Sequence, residues 1–265
     1  MVRTKSHFLS VMLTLNLLGG CQIGSAAHQQ IETDHANLSD PAVVGLLLDE
    51  PTGVELCSGA LIAARVVLTA ARCIGDATAI YVGFGTTVDP ASHTVFGGTS
   101  DAFGGTSDAF HVGETSFIKG AEWIDHSDYS PLPGDRRHEA DIALIRLAVD
   151  ALASPLRLND DPSVVRQGAV LRAAGFGYSD AESSQGGKKH HGAIQLGEVE
   201  VLWYAHTVLT DGLVGTDSGG PTLIVVDGEE YVAGVHSSVD ESGATRDTRV
   251  DAHASSIDSY IALWQ

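Results

Sequence analysis

Apolar residues gather in short runs along this chain rather than at helical spacing. Residues 42–48 (Ala-Val-Val-Gly-Leu-Leu-Leu), 201–204 (Val-Leu-Trp-Tyr) and 222–226 (Thr-Leu-Ile-Val-Val) are each too short for a buried helix. With 30 glycines and only 6% aromatics, the pattern predicts many short strands separated by turns, an all-β chain. One stretch departs from it. Ile257, Tyr260, Ile261 and Trp264 recur at helical spacing and predict a closing helix over residues 256–264. From Ile31 onward there is no clear domain linker, but residues 150–167 read as a crossing between two lobes. Their Asn159-Asp160-Asp161-Pro162 is a strong turn signal. No strand–helix alternation is present and Ser218 lacks a glycine two residues before it, which excludes an α/β-hydrolase.

The first twenty residues read as an export signal. Arg3 and Lys5 form a basic region, and residues 8–18 form an apolar run too short to span a bilayer as a mature helix. Leu18-Gly19-Gly20-Cys21 resembles the lipobox of bacterial lipoproteins. The resemblance implies that residues 1–20 are removed and that Cys21 becomes an acylated first residue, with residues 21–30 as a small, polar tether. An ordinary signal peptide with a chance cysteine is the alternative, and would leave the protein secreted. Three cysteines is an odd number for an exported protein. Lipidation of Cys21 leaves Cys57 and Cys73 as a pair expected to form one disulfide in an oxidising compartment.

Charge narrows the partners. The formal net charge of −19 becomes −21 once Arg3 and Lys5 are removed with the signal. Such a surface repels nucleic acid and anionic headgroups, so no nucleic acid partner is expected and membrane contact is assigned to lipidated Cys21 alone. Residues 96–102 (Phe-Gly-Gly-Thr-Ser-Asp-Ala) recur unchanged as 103–109. Two copies are too few for a solenoid, so a duplicated surface loop is expected. Asp101 and Asp108 fall short of the six to eight oxygens that Ca²⁺ takes. Residues 185–192, with Lys188, Lys189, His190 and His191, read as a solvated loop, with metal capture by the adjacent histidines as a weak alternative.

Four separated stretches resemble the trypsin/chymotrypsin-like serine protease family, peptidase S1. Cys57-Ser58-Gly59-Ala60-Leu61-Ile62, followed by Val67-Leu68-Thr69-Ala70-Ala71-Arg72-Cys73, is similar to the hairpin that ends in the catalytic histidine. Asp141-Ile142-Ala143-Leu144-Ile145-Arg146-Leu147 is similar to the strand of the catalytic aspartate. Ala174-Gly175-Phe176-Gly177 resembles the turn that opens the second barrel, and Asp217-Ser218-Gly219-Gly220-Pro221 the nucleophile loop. The resemblance covers nearly all of residues 31–265. It implies two six-stranded antiparallel β-barrels, at about 31–150 and 160–265, a C-terminal helix and a site in the cleft between the barrels. It also implies a new amino terminus at Ile31, whose amine would pair with Asp217, although Ile31-Glu32-Thr33-Asp34 lacks the glycines that follow in the family.

The site departs from the family at its centre. Ser218 and Asp141 hold the nucleophile and orienting positions, but Arg72 stands where the family has histidine. A serine hydroxyl needs a base, and imidazole serves because it accepts a proton near neutral pH and returns it to the leaving amine. Guanidinium offers no acceptor lone pair and stays protonated. An ion pair between Arg72 and Asp141 is expected instead. Thr216 stands where the family's oxyanion hole, shared with the Ser218 N–H, has glycine, and a β-branched residue resists that backbone geometry. In the specificity pocket Gly212 replaces the acid that selects lysine or arginine. His236 falls where glutamate-specific relatives carry histidine; the competing reading is a hydrogen-bonded core histidine. Ser237 lies beside it, and Val239 in place of glycine would narrow the pocket.

Two readings follow. One is a pseudoprotease, a monomeric lipid-anchored binding module that takes a protein or peptide into the cleft without turnover. The other is an active endopeptidase, glutamate-preferring, with His138 as a substitute base. Neither calls for a cofactor or a metal.

Overall fold

In the computed structural model the described residues are 40–90, 107–131, 140–177, 187–209, 217–239 and 245–264. The first barrel is built from β1 (Val43–Glu50), β2 (Gly53–Ala63), β3 (Val66–Thr69), β4 (Ala79–Phe84), β5 (Ala109–Val112), β6 (Thr115–Asp125) and β7 (Ala143–Leu147), with a single turn of helix, α1 (Ala71–Ile74), after β3. The second contains β8 (Arg157–Leu158), β9 (Val170–Gly175), β10 (His190–Val199), β11 (Trp203–Val208), β12 (Pro221–Val226), β13 (Glu229–Val239) and β14 (Thr245–Arg249), followed by helix α2 (Val250–Leu263). In the first barrel the order β4-β1-β2-β3-β7-β6 closes through β4–β6 pairing, and β5 is an added hairpin strand on β6. In the second, β12-β9-β10-β11-β14-β13 closes through β12–β13, and β8 lies parallel along β13. Each barrel is thus a closed antiparallel ring of six strands, as expected, with one extra strand attached.

Strand β1 shows why its sequence reads as an unbroken apolar run. Val44, Leu46 and Leu48 point into the first barrel, whereas Val43 and Leu47 pack with Val88, Phe117, Ala174 and Phe176. Both of its faces are buried, so no polar alternation survives. The Val226–Glu229 connection is set by local chemistry as well. Asp227 and Gly228 have φ of 52° and 84°. These positive values belong to a type I′ hairpin, which an Asp-Gly pair adopts most readily. A disulfide joins Cys57 on β2 to Cys73 in α1, with their Cα atoms 6.2 Å apart, as the cysteine arithmetic anticipates.

Two expectations change. Helix α2 begins at Val250, six residues before the predicted start. Val250, His253 and Ile257 form its buried stripe, and His253 occupies an apolar position with a polar side chain, which hides the first turns from a hydrophobic pattern. The stretch predicted as a solvated loop is partly structural. Lys189 is buried, its ammonium donates to the Asp40 carbonyl and lies 5.3 Å from the Phe176 ring centre, and His190 begins β10. Burial lowers the Lys189 pKa to about 8, against the opposing pull of Asp40. Long cationic side chains tolerate this when the stem packs and the head finds acceptors.

Candidate active-site cleft

Arg72 sits in α1, directly after β3 and one residue before the disulfide at Cys73, so its backbone is tied to β2. Its N–H donates to Asp141 Oδ1 at 2.8 Å. The guanidinium Nε lies 3.7 Å from Asp141 Oδ2, and Nη2 donates to Ser218 Oγ at 2.5 Å. Asp141 precedes β7 and has no exposed surface; Ser237 Oγ donates to its Oδ2 at 2.7 Å. The structure therefore brings Arg72, Asp141 and Ser218 together in the order carboxylate, guanidinium, hydroxyl. Ser237, expected on the pocket strand, reaches Asp141 from β13.

This arrangement sets the electrostatics of the cleft. A buried carboxylate without a partner costs several kcal/mol, and Asp141 has three donors or charges around it. Tyr129 and Glu55 respond to the same centre. Burial, then the Asp141 charge, push the Tyr129 hydroxyl up to about 12, with Arg72 opposing. Burial and Glu50 raise Glu55, again against Arg72. The guanidinium is thus paired with Asp141 and also acts on Glu55 through its charge. Among the described residues, Ser218 Oγ has no imidazole or carboxylate acceptor. Its oxygen accepts a hydrogen bond from a permanent cation, the reverse of what deprotonation requires.

The nucleophile loop is held by backbone contacts. Ser58 N–H donates to the Ser218 carbonyl at 2.8 Å, Gly219 N–H to His236 O at 2.8 Å, and His236 N–H to Gly220 O at 2.9 Å. Gly219 has φ of 80°, and a Cβ there would run into Thr69 Oγ1 and the Ser58 carbonyl. Only glycine fits both the backbone angle and the space. The turn at residues 174–177 contributes too: Phe176 N–H donates to Ser58 Oγ at 2.9 Å and Gly177 N–H to Asp217 Oδ1 at 2.8 Å. Asp217 Oδ2 lies 2.9 Å from His190 Nε2. Sequence reasoning missed His190 as a partner of this loop, because nothing in its position along the chain pairs it with Asp217.

Behind the cleft, His236 is buried and its Nδ1 donates to Asp247 Oδ1 at 3.0 Å. His206 Nε2 lies 3.1 Å from the same oxygen, and Thr222 Oγ1 donates to Oδ2. Burial would raise the Asp247 pKa, but His206 and His236 outweigh it and hold the carboxyl well below the usual range. His206 is raised, because Asp247 outweighs the lowering effect of burial. Among the described residues, these three form the one group of histidines and acids close enough to hold a metal. They fit one poorly. A metal-bound imidazole normally donates its second N–H to a partner, and His206 Nδ1 and His236 Nε2 are both buried without one.

The remaining sequence-derived positions divide simply. Val239 ends β13 and is 46% exposed. Cys21, Ile31, Asp101, His138, Gly212 and Thr216 lie outside the described residues, as does all but the end of the 96–109 repeat.

The profile of the family described as Trypsin matches residues 31–261. No curated protein matches. Among solved structures, one described as "Structure of GrC" is 20% identical, with a TM-score of 0.62, covering 86% of this chain and 96% of its own. Neuropsin, a serine protease expressed in the limbic system of mouse brain, is 19% identical with the same TM-score, at 84% and 96% coverage. At these identities the likeness concerns the fold.

Proposed function

Because the chain belongs to the trypsin family, as its match over residues 31–261 shows, we propose that it is a pseudoprotease whose inter-barrel cleft takes a protein or peptide ligand without hydrolysing it. One observation carries this reading: Arg72 Nη2 donates to Ser218 Oγ at 2.5 Å, from the position where a base would have to accept. Removing one member of a serine triad leaves only about 10³–10⁴-fold catalysis over water, from binding and the oxyanion hole. The mature, exported protein treated with a fluorophosphonate is expected to label no faster than its Ser218→Ala variant. Rapid labelling lost in Ser218→Ala means that Ser218 is activated, and the reading fails.

Anchoring through Cys21 belongs to the same proposal, supported by the lipobox-like Leu18-Gly19-Gly20-Cys21. A single acyl chain holds marginally, whereas two or more hold firmly. Mass spectrometry of the membrane fraction is expected to find a chain starting at acylated Cys21; an unmodified chain in the soluble fraction contradicts anchoring.

His236 favours one aspect of the second reading, an active glutamate-preferring peptidase. Its Nε2 is buried with no hydrogen-bond partner, while Nδ1 is held by Asp247. To meet a carboxylate there, the pocket would have to open onto that nitrogen and the ring would have to carry a second N–H. The reading still needs a base for Ser218.

A further inference from the structure

His190 and its neighbours were expected to face solvent, yet both nitrogens of the His190 ring face acceptors. Nδ1 lies 3.0 Å from the Lys188 carbonyl and Nε2 lies 2.9 Å from Asp217 Oδ2. Neither a carbonyl nor a carboxylate can donate, so both ring nitrogens must, and only the imidazolium carries two N–H groups. The pair is enclosed, with side-chain exposure of 14% for His190 and 6% for Asp217. The second Asp217 oxygen already accepts the Gly177 N–H.

We propose that His190 is a built-in cation that holds the nucleophile loop in its assembled form, at the carboxylate where the family resemblance expects a freed Ile31 amine. An α-ammonium and an imidazolium offer Asp217 the same chemistry, a positive charge with N–H donors at hydrogen-bond distance. His190 supplies it from inside the chain, so assembly of the loop does not wait for cleavage after Gln30. This goes beyond the binding reading and holds whether or not Ser218 turns over.

The surroundings fix the ring from several sides. His190 pairs with Gly175 in the β9–β10 register, and Gly175 sits so close to Asp217 that a Cβ there would meet its carboxylate. Just before it, Val88 N–H donates to the Gly187 carbonyl at 2.6 Å and Lys189 N–H to the Thr86 carbonyl at 2.8 Å. Residues 187–190 therefore strap the loop after β4 to the second barrel and deliver the imidazole to Asp217. The carboxylate acts on the nucleophile through the backbone, since Gly220 N–H donates to the Asp217 carbonyl at 2.8 Å across Ser218. Among the described residues, Asp217, from the nucleophile loop, is the charged group that faces the ring. Lys188 presents its carbonyl, the Lys189 ammonium is turned onto the Asp40 carbonyl, and β9 presents only glycine and alanine at this register.

The clamp is proton-linked. Burial lowers the His190 pKa, but the Asp217 hydrogen bond and charge, with the Lys188 carbonyl, outweigh it and leave the pKa raised. A raised folded-state pKa stabilises fully below the unfolded value, about 6.5, and the contribution is lost as pH rises through the folded value.

The test is amide hydrogen exchange, corrected for intrinsic rates, on the full mature chain and on a chain beginning at Ile31. Protection of residues 217–220 is expected to be equal in the two chains and to fall as pH rises through the raised histidine pKa. His190→Ala is expected to lower it by about tenfold or more, the scale of a lost charge-assisted hydrogen bond, and to remove the pH step, with little change across residues 57–73. His190→Gln keeps one N–H donor without a titrating charge, and should recover part of the protection with no pH step. The proposal is overturned if the chain beginning at Ile31 gains protection over the longer one, which assigns Asp217 to the amine. It is equally overturned if His190→Ala leaves the loop unchanged, or loosens the whole domain evenly with the pH step intact. Fluorophosphonate labelling of Ser218 would refute the pseudoprotease reading and leave this result standing.

Discussion

Arg72→His alone is expected to leave peptide hydrolysis about 10²–10³-fold below that of the Arg72→His, Thr216→Gly double variant, the usual cost of one oxyanion donor. The new imidazole would meet a prepared carboxylate, because Asp141 is buried and already fixed by Ser237 Oγ and the backbone N–H of residue 72. An acceptor would then stand beside Ser218 where the guanidinium now donates. Base restoration addresses proton transfer, however, and leaves the developing oxyanion one donor short if Thr216 cannot adopt the backbone angles of glycine. Comparison of kcat/KM for the two variants, on peptides with glutamate before the scissile bond, checks this. If the single variant matches the double, Thr216 supplies its donor and the second substitution adds nothing.

Asp247→Ala is expected to cost about 3–5 kcal/mol of folding stability, the penalty for stripping the partner from buried charged groups. For a domain of this size that corresponds to a fall in Tm of roughly 10 °C. Asp247 serves three side chains at once: His206, His236 and Thr222 all lose their acceptor, and all three are buried. Thr222→Val should cost far less, about 1 kcal/mol, since it removes one donor and leaves both histidines paired. Urea unfolding of the two variants gives the comparison, and near-equal losses would mean that the histidines do not depend on the carboxylate.

Much of the fold was legible because local chemistry and the apolar pattern agreed. The strand runs at residues 42–48 and 222–226 fall in β1 and β12, and Cys57 and Cys73 are bonded. Where the sequence misled, the reason was a polar side chain doing an apolar residue's packing. His253 is buried at 4% exposure in the first turns of α2, with its pKa lowered to about 4 by burial and the neighbouring His126. Lys189 and His190 look like solvated positions along the chain, but each finds its acceptor on a segment far away in sequence. The Arg72, Asp141 and Ser218 constellation could be named in advance because it sits within motifs. The Asp247 centre could not, since Thr222, His206, His236 and Asp247 share no motif and meet only when β11, β12, β13 and β14 close the ring.

Helix α2 carries a consequence for the order of assembly. Its residues and the Trp264 cap that follows them come after the second barrel in the chain but reach the first. Ser256 Oγ lies 3.1 Å from His126 Nε2, Tyr260 OH accepts the Ser127 N–H at 3.3 Å, and Trp264 Nε1 donates to Glu122 Oε2 at 3.0 Å. These contacts span sequence separations of 130 to 142 residues. Contacts so distant raise the chain entropy that must be lost before any of them forms, which slows folding. As the polypeptide emerges residue by residue, the β6 end of the first barrel must stay uncovered until the last turn of the chain arrives. A chain with this topology passes through an interval with one barrel made and its clasp not yet delivered, when exposed strands are open to aggregation or proteolysis.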